Sequence, residues 1–229
     1  ITDDIPFIQF HNSPPPFNWI PKQSNVAIFL RSNLWSKRVA FDSVDGRTFI
    51  QGLKRDIKGW FSGSSGYLII WLDWETFGHH RPGFVKNFLA RLLDNLGQCC
   101  NLISPSDLLS KYPQREITVP PGSWSTSPDD FYYKNYWPLW KNPRIEFHKL
   151  WWELAGIILA IKKGVATEDE LALFDKALYS CQTWQYSMGN KSLAKNGLDY
   201  FRKIAELEAA EPRREEIYAL IQKLENLCR

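Results

Sequence analysis

The residues that pack most chemistry into least sequence are Asp73, Glu75, His79 and His80, in the run WLDWETFGHH at 71–80. Two carboxylates close together in a partly dry cleft repel, which raises one pKa and fits that group to donate a proton near neutral pH. Read as a strand, the run puts Trp71, Asp73 and Glu75 on one face and Leu72 and Trp74 on the other. Gly78 then permits a sharp turn that leaves both histidines at the mouth. Two other readings are open. In one, Asp73 caps a loop, Glu75 pairs with an arginine and the histidines lie on the surface. In the other, all four residues are ligands of a divalent metal, although neighbouring loop histidines seldom aim at one ion and the spacing is not that of HExxH.

Positioning such a cluster is the task of the elements around it. GYLIIWL at 66–72 is apolar without alternation, as in a strand covered on both faces, and ligands of α/β sheets bind at the carboxyl ends of such strands. Pro6–Phe10 and Val26–Leu30 also read as strands, while Phe84, Phe88, Leu89, Leu92 and Leu93 give Arg81–Leu96 a helical period. From Ile145 onward the pattern is helical. Phe147–Ile161 is apolar nearly all round, with Gly164 as its stop, and Thr167 with Glu170 makes a capping box before Leu171, Phe174 and Leu178. Ser192–Glu208 and a segment opened by Pro212 complete four helices in a small bundle. The expected division is 1–144, rich in Pro, Gly, Ser and aromatics, and 145–229.

Composition narrows the classes. With 44% hydrophobic and 23% charged residues the 229-residue chain reads as globular, not disordered. Its 11 Trp, 14 Phe and 9 Tyr supply flat rings that stack on sugars, on bases or on one another. A net charge of +3 with no Lys/Arg block argues against nucleic-acid binding. Cys99, Cys100, Cys181 and Cys228 show no CxxC spacing, so neither a zinc ribbon nor a disulfide framework is expected, and reduced thiols point to the cytoplasm. ITDDIPF lacks the basic and apolar regions of a signal peptide, and LAGIILAI at 154–161 is too short to span a bilayer.

DWETFGHH resembles the fourth conserved region of family 57 glycoside hydrolases, the α-amylase, 4-α-glucanotransferase and branching-enzyme group. The resemblance makes Asp73 the acid/base and Glu75 its companion carboxylate. FLRSNLWSKRVAF at 29–41 is similar to the family's arginine-containing segment, with Arg31 and Phe41 in place. GSWSTSPDDFYYKNYWPLWKNPRIEFHKLWWEL at 122–154 looks like the segment leading into the family's helical domain. SCQTWQYSM at 180–188 resembles the fifth region, with Trp184 as a substrate-contacting aromatic. The likeness spans about Asn25 to Met188. It implies an α/β fold, namely the last strands of an incomplete (β/α)7 barrel followed by a helical bundle, acting on α-glucans by a retaining mechanism without a cofactor. Trp74, His79, His80, Trp124 and Trp137 join Trp184 as candidate sugar contacts, each of the tryptophans being equally a candidate core or loop-packing ring. Arg31 either holds a carboxylate of the site or makes an ordinary ion pair.

The departures bear on activity. The family's first three regions, including the nucleophile glutamate, have no counterpart in Ile1–Gln23, and no glutamate precedes Glu75. Thr183 stands where the fifth region has Asp, and Lys37 where the arginine segment is acidic. The chain is therefore expected to be the carboxyl-terminal part of such an enzyme, inactive alone, needing a partner chain or an amino-terminal segment to complete the barrel. A catalytically inactive carbohydrate-binding relative is the first alternative. A metal-dependent deacetylase-like barrel, suggested only by analogy of fold, is the second.

Overall fold

The computed structural model describes residues 1–42, 44–61, 65–97, 99–164 and 167–229. They form two compact units, Ile1–Trp124 and Ser125–Arg229.

In the first unit, β1 (Thr2–Asp3) runs straight into α1 (Asp4–His11). The expected strand at Pro6–Phe10 is thus a helix. Asp3 is its N-cap, its side chain accepting from the Ile5 N–H at 3.2 Å, and Pro6 sits in the first turn, where a missing N–H costs nothing. A short apolar run cannot by periodicity alone distinguish the two outcomes. β2 (Ile20–Gln23) and β3 (Val26–Ala27) form a hairpin turned by Ser24 and Asn25, both with positive φ, and β4 (Leu30–Arg31) follows. The expected strand at Val26–Leu30 is therefore split, β3 pairing with β2 and β4 with β1.

Then come α2 (Asn33–Phe41), α3 (Gly46–Phe61), a 3-10 turn at Trp74–Thr76, a π-type turn at Val85–Ala90 that continues as α4 (Arg91–Leu96), α5 (Pro105–Lys111) and β5 (Gln114–Glu116). The helix expected at 81–96 is thus confined to two adjoining pieces from Val85. Among the described residues the strands make one two-stranded parallel pair, β1 with β4, and one three-stranded sheet ordered β3-β2-β5.

Tyr67–Leu72 is extended but joins this framework at a single parallel bridge, Arg31 to Ile69. Both of its faces are nonetheless covered. Leu68, Ile70 and Leu72 pack on the core of Trp35, Val39, Phe49, Leu53, Phe84 and Phe88, and Tyr67 and Ile69 belong with Ile20, Leu108 and Tyr112. Two-sided covering produces the unbroken apolar run seen in the sequence.

The second unit is a helical bundle. It comprises α6 (Pro128–Tyr132), α7 (Glu146–Lys162), α8 (Glu168–Ala177), α9 (Cys181–Ser187), α10 (Lys191–Asn196), α11 (Leu198–Ala205), a 3-10 turn at Glu208–Arg213 and α12 (Arg214–Leu227). Phe147, Trp151, Leu154 and Ile158 of α7 lie at its centre against Phe174, Leu198, Phe201, Ile217 and Leu224. The Thr167 cap forms as expected. The helix expected at Ser192–Glu208 is broken at Gly197, where a Cβ would fall 2.1 Å from Cδ of Gln182, whose amide oxygen accepts from the Trp151 indole. Residues 125–144 belong with the helices, ahead of the division expected at Ile145. Ser187 donates to the Leu139 carbonyl and the Trp152 indole to that of Trp140.

Candidate active site

The extended segment leaves its covering layers at Trp71. Tyr67 is buried, but Trp71, four residues on and so on the same face, is 56% exposed. The chain then coils instead of continuing as a strand. Asp73 precedes the 3-10 turn without a capping bond from its side chain, and the backbone N–H groups of His79 and His80 both donate to the Glu75 carbonyl, at 3.1 and 2.9 Å. Asp73 and Glu75 consequently do not share a strand face, and the partly dry cleft expected around them is not formed: both are exposed. Trp74 is 74% exposed. Gly78, at φ +131°, makes the sharp turn the sequence required of it.

Two residues tie this tip down. Thr76 is buried, and the Phe77 ring stacks on Phe84 at 5.8 Å. Among the described residues Glu75 pairs with no arginine; His80 Nε2 lies 3.9 Å from its carboxylate on an exposed surface. Asp73, Glu75, His79 and His80 are not gathered into a ligand set, and among the described residues no group of three or more His, Cys, Asp or Glu could hold a metal.

A buried polar network lies behind the tip. Asp3 (3% exposed) and Arg31 (8%) pair side by side in the β1–β4 register, Oδ2 to Nη1 at 2.5 Å. Arg31 Nε donates to the Trp71 carbonyl at 2.6 Å, and the Trp71 N–H donates to Ser36 Oγ at 3.1 Å. Asn33 donates its side-chain amide to Asp3 and to the Trp124 carbonyl at 3.0 Å, and its backbone N–H to Asp4 Oδ1 at 3.0 Å. Burial lifts the Asp4 carboxyl to about 6, a rise increased by the Asp3 charge and opposed by the Asn33 N–H and by Arg31.

The structure thus brings Arg31, Trp124 and the Asp73 segment together through Asp3 and Asn33, two residues that the sequence reading did not single out. The signal for Asp3 was a pair of aspartates just before an apolar run with proline in its first turn, an N-cap pattern. Trp137 and Trp184 belong to the second unit, Trp137 partly exposed beside Tyr136 and Trp184 half-buried on α9. Thr183 is fully buried, and Lys37 is half-buried on α2.

The second unit holds one pair with the outline of a nucleophile and base, Ser187 Oγ and His148 Nε2 at 3.0 Å. The hydroxyl, however, is turned to the Leu139 carbonyl at 3.1 Å, and Nε2 also faces the carbonyl of Thr183. An Nε2 aimed at a carbonyl carries the proton, so it cannot take one from the serine. No protein-family model, curated protein or solved structure matches the chain. Among the described residues no helix is long and apolar enough to cross a membrane.

Proposed function

We propose that the chain is part of a retaining glycoside hydrolase or transglycosylase acting on α-glucans, with Asp73 as acid/base and the nucleophilic glutamate supplied from outside these residues. One observation carries the reading: Asp73 lies just past the carboxyl end of an extended segment that bridges in parallel to β4, itself parallel to β1. Ligand sites of parallel α/β folds gather at that edge. Exposed Trp71 and Trp74 flank the carboxylate with flat apolar faces of the kind that stack on sugar rings.

The last strands of an incomplete (β/α)7 barrel belong to this reading. It is supported by the parallel registers and by α2 and α3, which connect β4 to the extended segment as a crossover does. A cytoplasmic location goes with it, in keeping with four free cysteines. In the retaining mechanism the acid protonates the leaving oxygen and then, as base, activates water or a sugar hydroxyl. The bare exposure of Asp73 and Glu75 favours a second reading, a carbohydrate-binding relative without turnover.

The test is Asp73→Asn in the assembly that includes the nucleophile-bearing part. Glucan turnover is expected to fall by about 10²–10⁴-fold with oligosaccharide binding nearly intact. An unchanged rate would remove Asp73 from the mechanism, and binding without turnover in the unsubstituted assembly would select the second reading.

A further inference from the structure

We propose that Asp3 is a positioning residue for the Asp73 segment, acting through Arg31; its role in glucan chemistry rests on the reading above. A buried ion pair is weak evidence of added stability, because desolvating two charges offsets much of their attraction. Its distinctive property is geometric. The guanidinium is planar, so fixing one nitrogen on a carboxylate fixes the direction of the others.

Here Nη1 is held by Asp3, and Nε meets the Trp71 carbonyl, two residues before Asp73. Asp3 is itself immobilised, as the N-cap of α1 and by the Asn33 amide. With the Trp71 N–H on Ser36 and the Ser32 N–H on the Ile69 carbonyl at 2.8 Å, the segment is gripped along one short stretch of backbone. Asp73 carries no capping bond of its own. Its approach direction is therefore set from behind, and Asp3 is the fixed point of that chain of contacts.

Hydrogen exchange of the backbone amides in the 229-residue chain tests this, for Asp3→Asn, Arg31→Met and the double variant, alongside titration with maltoheptaose followed by tryptophan fluorescence. Each single variant is expected to speed exchange at Trp71 and Ser32 by about tenfold relative to amides of α7, and the double variant no further than Arg31→Met. Unchanged exchange at Trp71, or effects that multiply in the double variant, would overturn the proposal. Should Asp3→Asn fail to fold, Arg31→Lys carries the same test, since one ammonium cannot reproduce the fork that serves both partners. Maltoheptaose affinity is expected to drop several-fold in the single variants. If the assembly that includes the nucleophile-bearing part binds no maltoheptaose, the glucan reading fails, while the exchange rates of the 229-residue chain still decide whether Asp3 acts through Arg31.

Discussion

His148 Nε2 lies 3.1 Å from the carbonyl oxygen of Thr183, while Nδ1 accepts the backbone N–H of Asn142 at 2.9 Å. A carbonyl only accepts and an N–H only donates, so the ring is neutral with its proton on Nε2. Burial also pushes the pKa below the ordinary 6.5, outweighing the opposing bond to Thr183. As pH falls below that value the unfolded chain takes up a proton that folded His148 resists. Stability of the second unit is therefore lost as pH falls from about 6.5 through the lowered folded value. Denaturant unfolding monitored on the helical signal between pH 8 and 5 should show this loss, and His148→Gln should lose the dependence.

Thr183 occupies the position where the resemblance led one to expect an aspartate. Its side chain is fully buried, with Oγ1 donating to the Ser180 carbonyl at 2.9 Å. Thr183→Asp would put a carboxylate in this buried position facing the Ser180 carbonyl, at a cost of about 3–5 kcal/mol. Equal stability of the variant by equilibrium unfolding would mean that position 183 opens to solvent after all.

The first unit should respond to pH in the opposite sense. Asp4, raised to about 6 chiefly by burial, holds a proton more tightly folded than unfolded. The stability this proton contributes is full below the ordinary value of 3.8 and is lost as pH rises through about 6. Asp4→Asn keeps an acceptor for the Asn33 N–H and removes the buried charge, so at pH 8 it is expected to stabilise the unit by up to about 3 kcal/mol. Urea titrations at pH 5 and 8 check this; a variant as pH-dependent as the parent would contradict it.

Trp74 offers a cleaner separation of binding from folding. Being 74% exposed, its ring contributes little to the core, and Trp74→Ala should change stability by no more than about 0.5 kcal/mol. If the ring stacks on sugar, maltoheptaose affinity falls by about tenfold, worth about 1.4 kcal/mol. Calorimetric titration reads the one and thermal unfolding the other, and equal affinity in both proteins would exclude Trp74 as a sugar platform.

The helical half was the more legible in sequence because its signals are local. The Thr167 cap and the apolar stripe of α12 each depend on neighbours within a few turns. Position 197 has room for glycine alone because of Gln182, a contact no window of neighbouring residues contains. In the first unit the decisive partners are remote. Asp3 meets Arg31 and Arg31 meets Trp71, so the pattern DD at the start of the chain reads as a helix cap and conceals its second role. The alternation that put Asp73 and Glu75 on one face failed because a strand period holds only while a neighbouring strand enforces it. Among the described residues Tyr67–Leu72 has a single bridge, at Ile69, and no ladder partner beyond it.

Trp71 is held at its N–H and at its carbonyl, while its ring and the side chains of Asp73, Trp74 and Glu75 are exposed. Backbone and side chain thus answer to different constraints at this one place. Substitutions at the tip can retune what the surface prefers without unsettling the architecture, whereas any change at Asp3, Arg31 or Ser36 disturbs everything presented above them. Diversification by random mutagenesis should therefore find its viable variants concentrated at 71, 74 and 75, a short stretch around Asp73 that can drift towards new ligands while its foundation stays constant.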